Sequence, residues 1–74
     1  MKFFFSISMT TAEFLPYYQG KIHALVVTTH EGVRVQFPAM HLRKHLTSRG
    51  VRGYFCLETK NNKFLSLTKM VKVE

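Results

Sequence analysis

Four side chains in this sequence have the types and spacing to hold a polyanion. Arg34 and Gln36 alternate with apolar residues on one stretch, and Arg52 and Tyr54 do so on another. In an extended strand, residues two apart share a face. All four therefore point away from the side that carries Val35, Phe37, Val51 and Phe55. If the two stretches are neighbours in one sheet and no helix covers that side, guanidinium groups lie beside a phenol ring. Single-stranded nucleic acid is held by this combination, with phosphates pairing to arginine and bases stacking on the ring. Lys44, Arg49 and His45 extend the expected basic face.

Other chemistries find less support. His41 and His45 are four apart, a spacing that can bind zinc from one helical face. The further ligands such a site needs would come from His23, His30, Cys56 and the four glutamates, none suitably spaced. Arg43 and Lys44 would also repel a cation, so no metal is expected and both histidines are read as facing water. Cys56 falls mid-strand, where a lone cysteine behaves as a small hydrophobe. There is no Asp, no serine nucleophile elbow, no glycine-rich phosphate loop and no usefully spaced carboxylate pair. The residues point to a binding module without a cofactor, not to an enzyme.

The charge agrees. The 74 residues contain eleven Lys and Arg against four carboxylates, a net charge of +7. No carboxylate lies between Glu31 and Glu58, an interval holding Arg34, Arg43, Lys44, Arg49 and Arg52. Nucleic acid, an anionic membrane surface and plain solubility each fit such a balance. No apolar run approaches the roughly 18 residues of a membrane-spanning helix. The apolar start Phe3-Phe4-Phe5 is interrupted by Ser6 and Ser8 and reaches Glu13 without a small-residue cleavage site, so it does not read as a signal peptide. A single cysteine forms no internal disulfide, which favours a reducing, cytoplasmic setting.

The elements that must position these residues follow from periodicity. The length allows a single small domain over 1–74, and 46% hydrophobic content with seven Phe supplies its core. Residues 2–9 alternate as a half-buried strand, with Phe4 out of phase. Thr10 and Glu13 have capping-box spacing, and Met9 and Phe14 occupy staple positions, so a helix starts at Thr10. Pro16 shortens or kinks it and Gly20 closes it. Residues 21–29 are apolar on both faces and predict the most central strand. His30-Glu31-Gly32 turns the chain into a third strand over 33–37.

A second helix is expected from about Pro38 to Thr47, burying Ala39, Leu42 and Leu46 and exposing His41, Lys44, His45 and Ser48. Residues 51–59 form a fourth strand, Asn61-Asn62 a hairpin tip, and 64–73 a fifth strand with Leu65 and Leu67 inward and either a bulge or the strand end near Lys69. The order β-α-β-β-α-β-β predicts an α+β domain: a small antiparallel sheet, or a partly closed barrel, of about five strands with two short helices.

Several segments together resemble a family of short uncharacterised proteobacterial proteins catalogued as a domain of unknown function. They are Tyr17-Tyr18-Gln19-Gly20, Val35-Gln36-Phe37-Pro38-Ala39 with His41-Leu42-Arg43, the set Gly50, Gly53 and Phe55, and Asn62-Lys63-Phe64-Leu65-Ser66-Leu67. The resemblance implies a small stand-alone protein and assigns no residue a role. The chain departs from the pattern at Pro16, where a charged residue is more usual, and in its few carboxylates near the last hairpin.

Two functional readings stand side by side. The first is a basic module for RNA or single-stranded nucleic acid, carried by Arg34, Gln36, Arg52 and Tyr54 with Lys44 and Arg49. The second is a protein-interaction or homo-oligomeric module without a nucleic-acid role. There, one of Tyr17 and Tyr18 faces water, and Phe4 and Phe64 lie exposed on the outer faces of their strands.

Overall fold

The computed structural model describes residues 1–70. Strand β1 (Lys2–Met9) keeps its alternation, with Phe5 and Ile7 buried and Ser6 and Ser8 exposed. Helix α1 (Thr11–Tyr18) starts where the capping box predicts. The Glu13 amide donates to Thr10 Oγ1 at 3.1 Å, and the Thr10 amide donates to Glu13 Oε1 at 2.9 Å. Those bonds to Thr10, its backbone N–H first, hold the Glu13 carboxyl below its usual range. Phe14 is fully buried, and Met9 packs against the same core. Pro16 is accommodated inside the short helix, and its carbonyl accepts the amides of Lys21 and Ile22 beyond the helix end.

Strand β4 (Val51–Lys60) is the centre of a three-stranded antiparallel sheet, flanked by β1 and by β5 (Lys63–Met70). Strands β2 (Ala24–Thr28) and β3 (Arg34–Pro38) form a separate antiparallel pair. The molecule is thus predominantly β, with two sheets and two short helices. The expected five-stranded sheet or barrel does not form. β4 has β1 on one edge and β5 on the other, so β3 finds no free edge of it to pair with. β1 and β4 match over eight paired positions, whereas β2 has five residues and covers the core as a second layer. Only Leu25 of β2 is buried, and Val26, on the opposite face, is 45% exposed, so β2 is not the central strand.

Phe5 joins the two layers, its ring stacked on Phe37 of β3 at 5.6 Å and on Phe55 of β4 at 6.1 Å. Ile7, Phe14, Leu25, Ala39, Leu42, Val51, Leu57 and Leu67 complete this core.

The second helix is a 3-10 helix over Ala39–His45, not an α-helix reaching Thr47. Thr47 instead pairs with Gly50 in an isolated bridge. At three residues per turn, positions 39, 42 and 45 fall on one line. Ala39 and Leu42 are buried, and His45 sets its ring edge against Phe55 at 5.1 Å. His41 stacks flat on Phe64, 3.7 Å between ring centroids. Both histidines therefore face protein, correcting the water-facing assignment, and they engage different rings.

The β4–β5 hairpin turns at Asn61 and Asn62, both at positive φ. The bulge of this strand lies at Leu65, not near Lys69: Glu58 pairs with Ser66 while Thr59 pairs with Phe64, and β5 runs to Met70. The extra residue leaves Leu65 54% exposed, where an inward position was expected, and turns Phe64 against the core. Leu67 is buried as expected. The expected end of this strand, 71–73, lies outside the described residues. Among the described residues no helix is long and apolar enough to cross a membrane.

Candidate functional site

The polyanion constellation divides between the two sheets. Each sheet turns one face to the shared core, so the two opposite faces point away from each other. Arg34 and Gln36 stand on the outer face of the β2–β3 pair, both exposed, and Arg52 and Tyr54 stand on the outer face of the three-stranded sheet. The expectation that all four share one face is therefore corrected: β3 and β4 are not neighbours. Lys44 and His45 belong to the 3-10 helix, which packs on the core side, so they do not extend the Tyr54 face. Arg49 is close to it, since its carbonyl accepts Arg52 Nε at 3.4 Å.

The outer face of the three-stranded sheet has a composition of its own. By register it carries Lys2, Phe4, Ser6 and Ser8 from β1, Arg52, Tyr54, Cys56, Glu58 and Lys60 from β4, and Lys63, Ser66, Thr68 and Met70 from β5. The buried residues of α1, of the 3-10 helix and of the β2–β3 pair all join the core on the other side. Phe4 and Tyr54 are half-buried diagonal neighbours, their rings 6.2 Å apart and within 16° of parallel. Cys56 stands on this open face, yet it is 7% exposed. With no helix above it, its cover comes from neighbouring side chains on the same face, and the Phe4 and Tyr54 rings flank it.

Two contacts fix this arrangement. Arg52 Nη1 donates to Ser8 Oγ at 2.7 Å, which aims the guanidinium across β1. At the β2–β3 turn the His30 amide donates to the Phe4 carbonyl at 2.9 Å, and the His30 ring meets Tyr54 edge-on at 4.9 Å. The turn is held by Thr29, whose Oγ1 accepts the Val33 amide at 3.1 Å. His30 and Ser8 escaped the sequence reading because they sit on segments far from Tyr54 in the chain. The alternation of β1 did place Phe4 and Ser8 on the solvent side.

A second feature is a groove between the end of α1 and the start of the 3-10 helix. Of the two tyrosines there, Tyr17 stacks on Phe14 and packs against the core, and Tyr18 faces solvent. Phe64 is not an exposed outer-face aromatic, being half-buried beneath His41.

No group of three or more His, Cys, Asp or Glu side chains is placed to hold a metal ion among the described residues. The fold is a small two-sheet domain with a pair of aromatic rings on one outer face. The chain belongs to the family described as protein of unknown function (DUF2835), whose sequence model matches residues 1–70. No curated protein and no solved structure matches it.

Proposed function

We propose that this domain is a non-enzymatic module that binds RNA or other single-stranded nucleic acid on the outer face of the three-stranded sheet. The observation that carries this reading is the nearly parallel pair Phe4 and Tyr54 on a sheet face that no helix covers, with Arg52 beside it. Bases stack on such rings irrespective of sequence, and arginine and lysine meet the phosphates. Of the residues that the register puts on this face, Glu58 is the one carboxylate, and it lies opposite Lys2, away from Arg52. Ser6, Ser8 and Thr68 add hydroxyls for sugar and phosphate contacts. A reducing cytoplasm suits this role and the single shielded cysteine.

The test is fluorescence anisotropy with a labelled ten-nucleotide oligouridine at low salt. Tyr54→Leu keeps apolar bulk and removes one stacking ring, so affinity is expected to fall about tenfold or more, within the roughly 1–3 kcal/mol of a stacked base. Arg52→Gln weakens binding too, while Arg34→Gln on the opposite sheet leaves it nearly unchanged. Equal losses for Arg34→Gln and Arg52→Gln would mean that bulk charge, not this face, attracts the strand.

A further inference from the structure

The groove beside Tyr18 has a chemistry different from that of the sheet face. It encloses about 280 Å³, and its lining includes Tyr17, Tyr18, Ile22, His23, Met40 and Arg43. Single exposed apolar residues are ordinary on a protein surface. Here three converge on one concavity: Tyr18 and Ile22 are each 45% exposed and Met40 65%. The apolar surface continues through the exposed pair Ala24 and Pro38 to Val26 on the outer face of β2.

One charged group is fixed at the groove. Arg43 Nη2 donates to the Tyr18 carbonyl at 2.6 Å, and its guanidinium lies 4.7 Å from the centre of the Tyr18 ring. The guanidinium is thereby oriented at the end of α1, with further N–H groups left for a ligand. No carboxylate lines the groove, and His23 adds a second nitrogen base.

We propose that this groove docks a short acidic segment of another protein, one that sets a large apolar side chain between carboxylates. The apolar side chain seats against Tyr18, Ile22 and Met40, and a neighbouring carboxylate pairs with Arg43. Charge selects this occupant over a second copy of the chain. Each copy carries a net charge of +7, Arg43 lines the groove, and the exposed Lys21 and Lys44 adjoin lining residues in the chain, so self-association here would bring like charges together. Shape selects a passing chain over a small molecule, because an open concavity of this size does not enclose a ligand as pockets for small molecules do.

The probe is the blocked peptide Glu-Glu-Phe-Glu-Glu, titrated into the isotope-labelled full chain and followed by amide chemical shifts. Saturable shifts are expected at Gly20, Ile22 and Met40, with little change at Tyr54 and Arg52. Replacing the peptide's Phe by Ala, or its Glu residues by Lys, is expected to lower affinity at least about fivefold. Ile22→Ser, at a solvent-facing position, and Arg43→Gln are each expected to weaken binding about fivefold to tenfold. An oligouridine that occupies the sheet face should not displace the peptide, so this proposal and the nucleic-acid reading fail separately. Shifts scattered over the whole basic surface, or equal binding by the Ala peptide, would overturn the proposal. So would an Ile22→Ser protein that folds normally and binds unchanged.

Discussion

Gly50 offers the sharpest test of how the site is held. Its φ is +102°, and a Cβ there would lie 2.0 Å from the Met9 carbonyl oxygen, 2.7 Å from the Thr10 carbonyl carbon and 2.9 Å from Thr10 Cα. All three atoms are backbone, so no rotamer change relieves the overlap. They also belong to the junction of β1 and α1, where Thr10 caps the helix. Gly50→Ala therefore combines the strain of a left-handed residue, about 1–2 kcal/mol, with a forced backbone shift comparable to overpacking, about 1–3 kcal/mol. The total of about 2–5 kcal/mol compares with a whole-domain stability of roughly 4–11 kcal/mol for a chain of this length. Gly32→Ala is the control: φ is +84°, but nothing lies within 4 Å of its Cβ position, so only the strain applies. In urea unfolding, where a small domain loses about 1 kcal/mol of stability per molar, the Gly50→Ala midpoint should fall by about 2 M or more, or the protein should be unfolded from the start. The Gly32→Ala midpoint should fall by clearly less. Equal midpoints for the two variants would refute the argument that the loop before β4 is pressed against the Met9-Thr10 backbone.

Three further outcomes are expected. His45 Nε2 is buried without a hydrogen-bond partner, and burial first, then Lys44 and Lys69, lower its pKa from 6.5. The folded chain therefore takes up this proton less readily than the unfolded chain. Stability is full above about pH 6.5 and declines as pH falls through that value toward the folded pKa. The urea midpoint should drop between about pH 7.5 and pH 5, and His45→Leu should flatten the drop; an unchanged wild-type midpoint would contradict the buried placement. Cys56 should react slowly with a thiol reagent in the native protein, and Phe4→Ala should accelerate it at least about tenfold without unfolding the domain; fast wild-type labelling would mean that the rings do not shield it. Oligouridine binding should show a limited salt dependence, because Arg52, Arg49, Lys2, Lys60 and Lys63 are the Lys and Arg residues placed on or beside the face. A logarithmic slope no steeper than about −3.5 is expected for at most some five phosphate contacts on a single strand, and a slope of −5 or steeper would assign binding to the whole basic surface.

The legible parts of this fold were those set by local chemistry. The Thr10 and Glu13 capping box, the Asn61-Asn62 tip and the alternation of β1 each depend on residues within a few positions of one another, and each forms as expected. The two hairpin pairings were legible from their turns, but pairing between strands distant in the chain was not, because alternation says which side chains share a face and not which strand lies alongside. The split of Arg34 from Arg52 is the direct result. The 3-10 helix was missed for a related reason: Ala39, Leu42 and Leu46 satisfy an α-helical stripe, and only tertiary packing selects the tighter turn that brings His45 inward. At Leu65, a bulge of one residue exchanged the faces of two neighbours, and nothing in the composition of that strand marks it.

The two surfaces differ in how far each is organised before any partner arrives. On the sheet face, Phe4 and Tyr54 already lie against each other, Arg52 is held by Ser8, and His30 fixes the edge of Tyr54. A strand that stacks there orders few protein side chains, so less of the stacking energy is lost to conformational entropy. In the groove, Arg43 is anchored but Met40 is largely free in solvent, and a docking segment must order it. On the proposed reading, the sheet face would therefore accept any base at little ordering cost, which suits weak, sequence-indifferent binding. The groove gains affinity only from a side chain large enough to touch Tyr18, Ile22 and Met40 together, which makes it the more selective of the two.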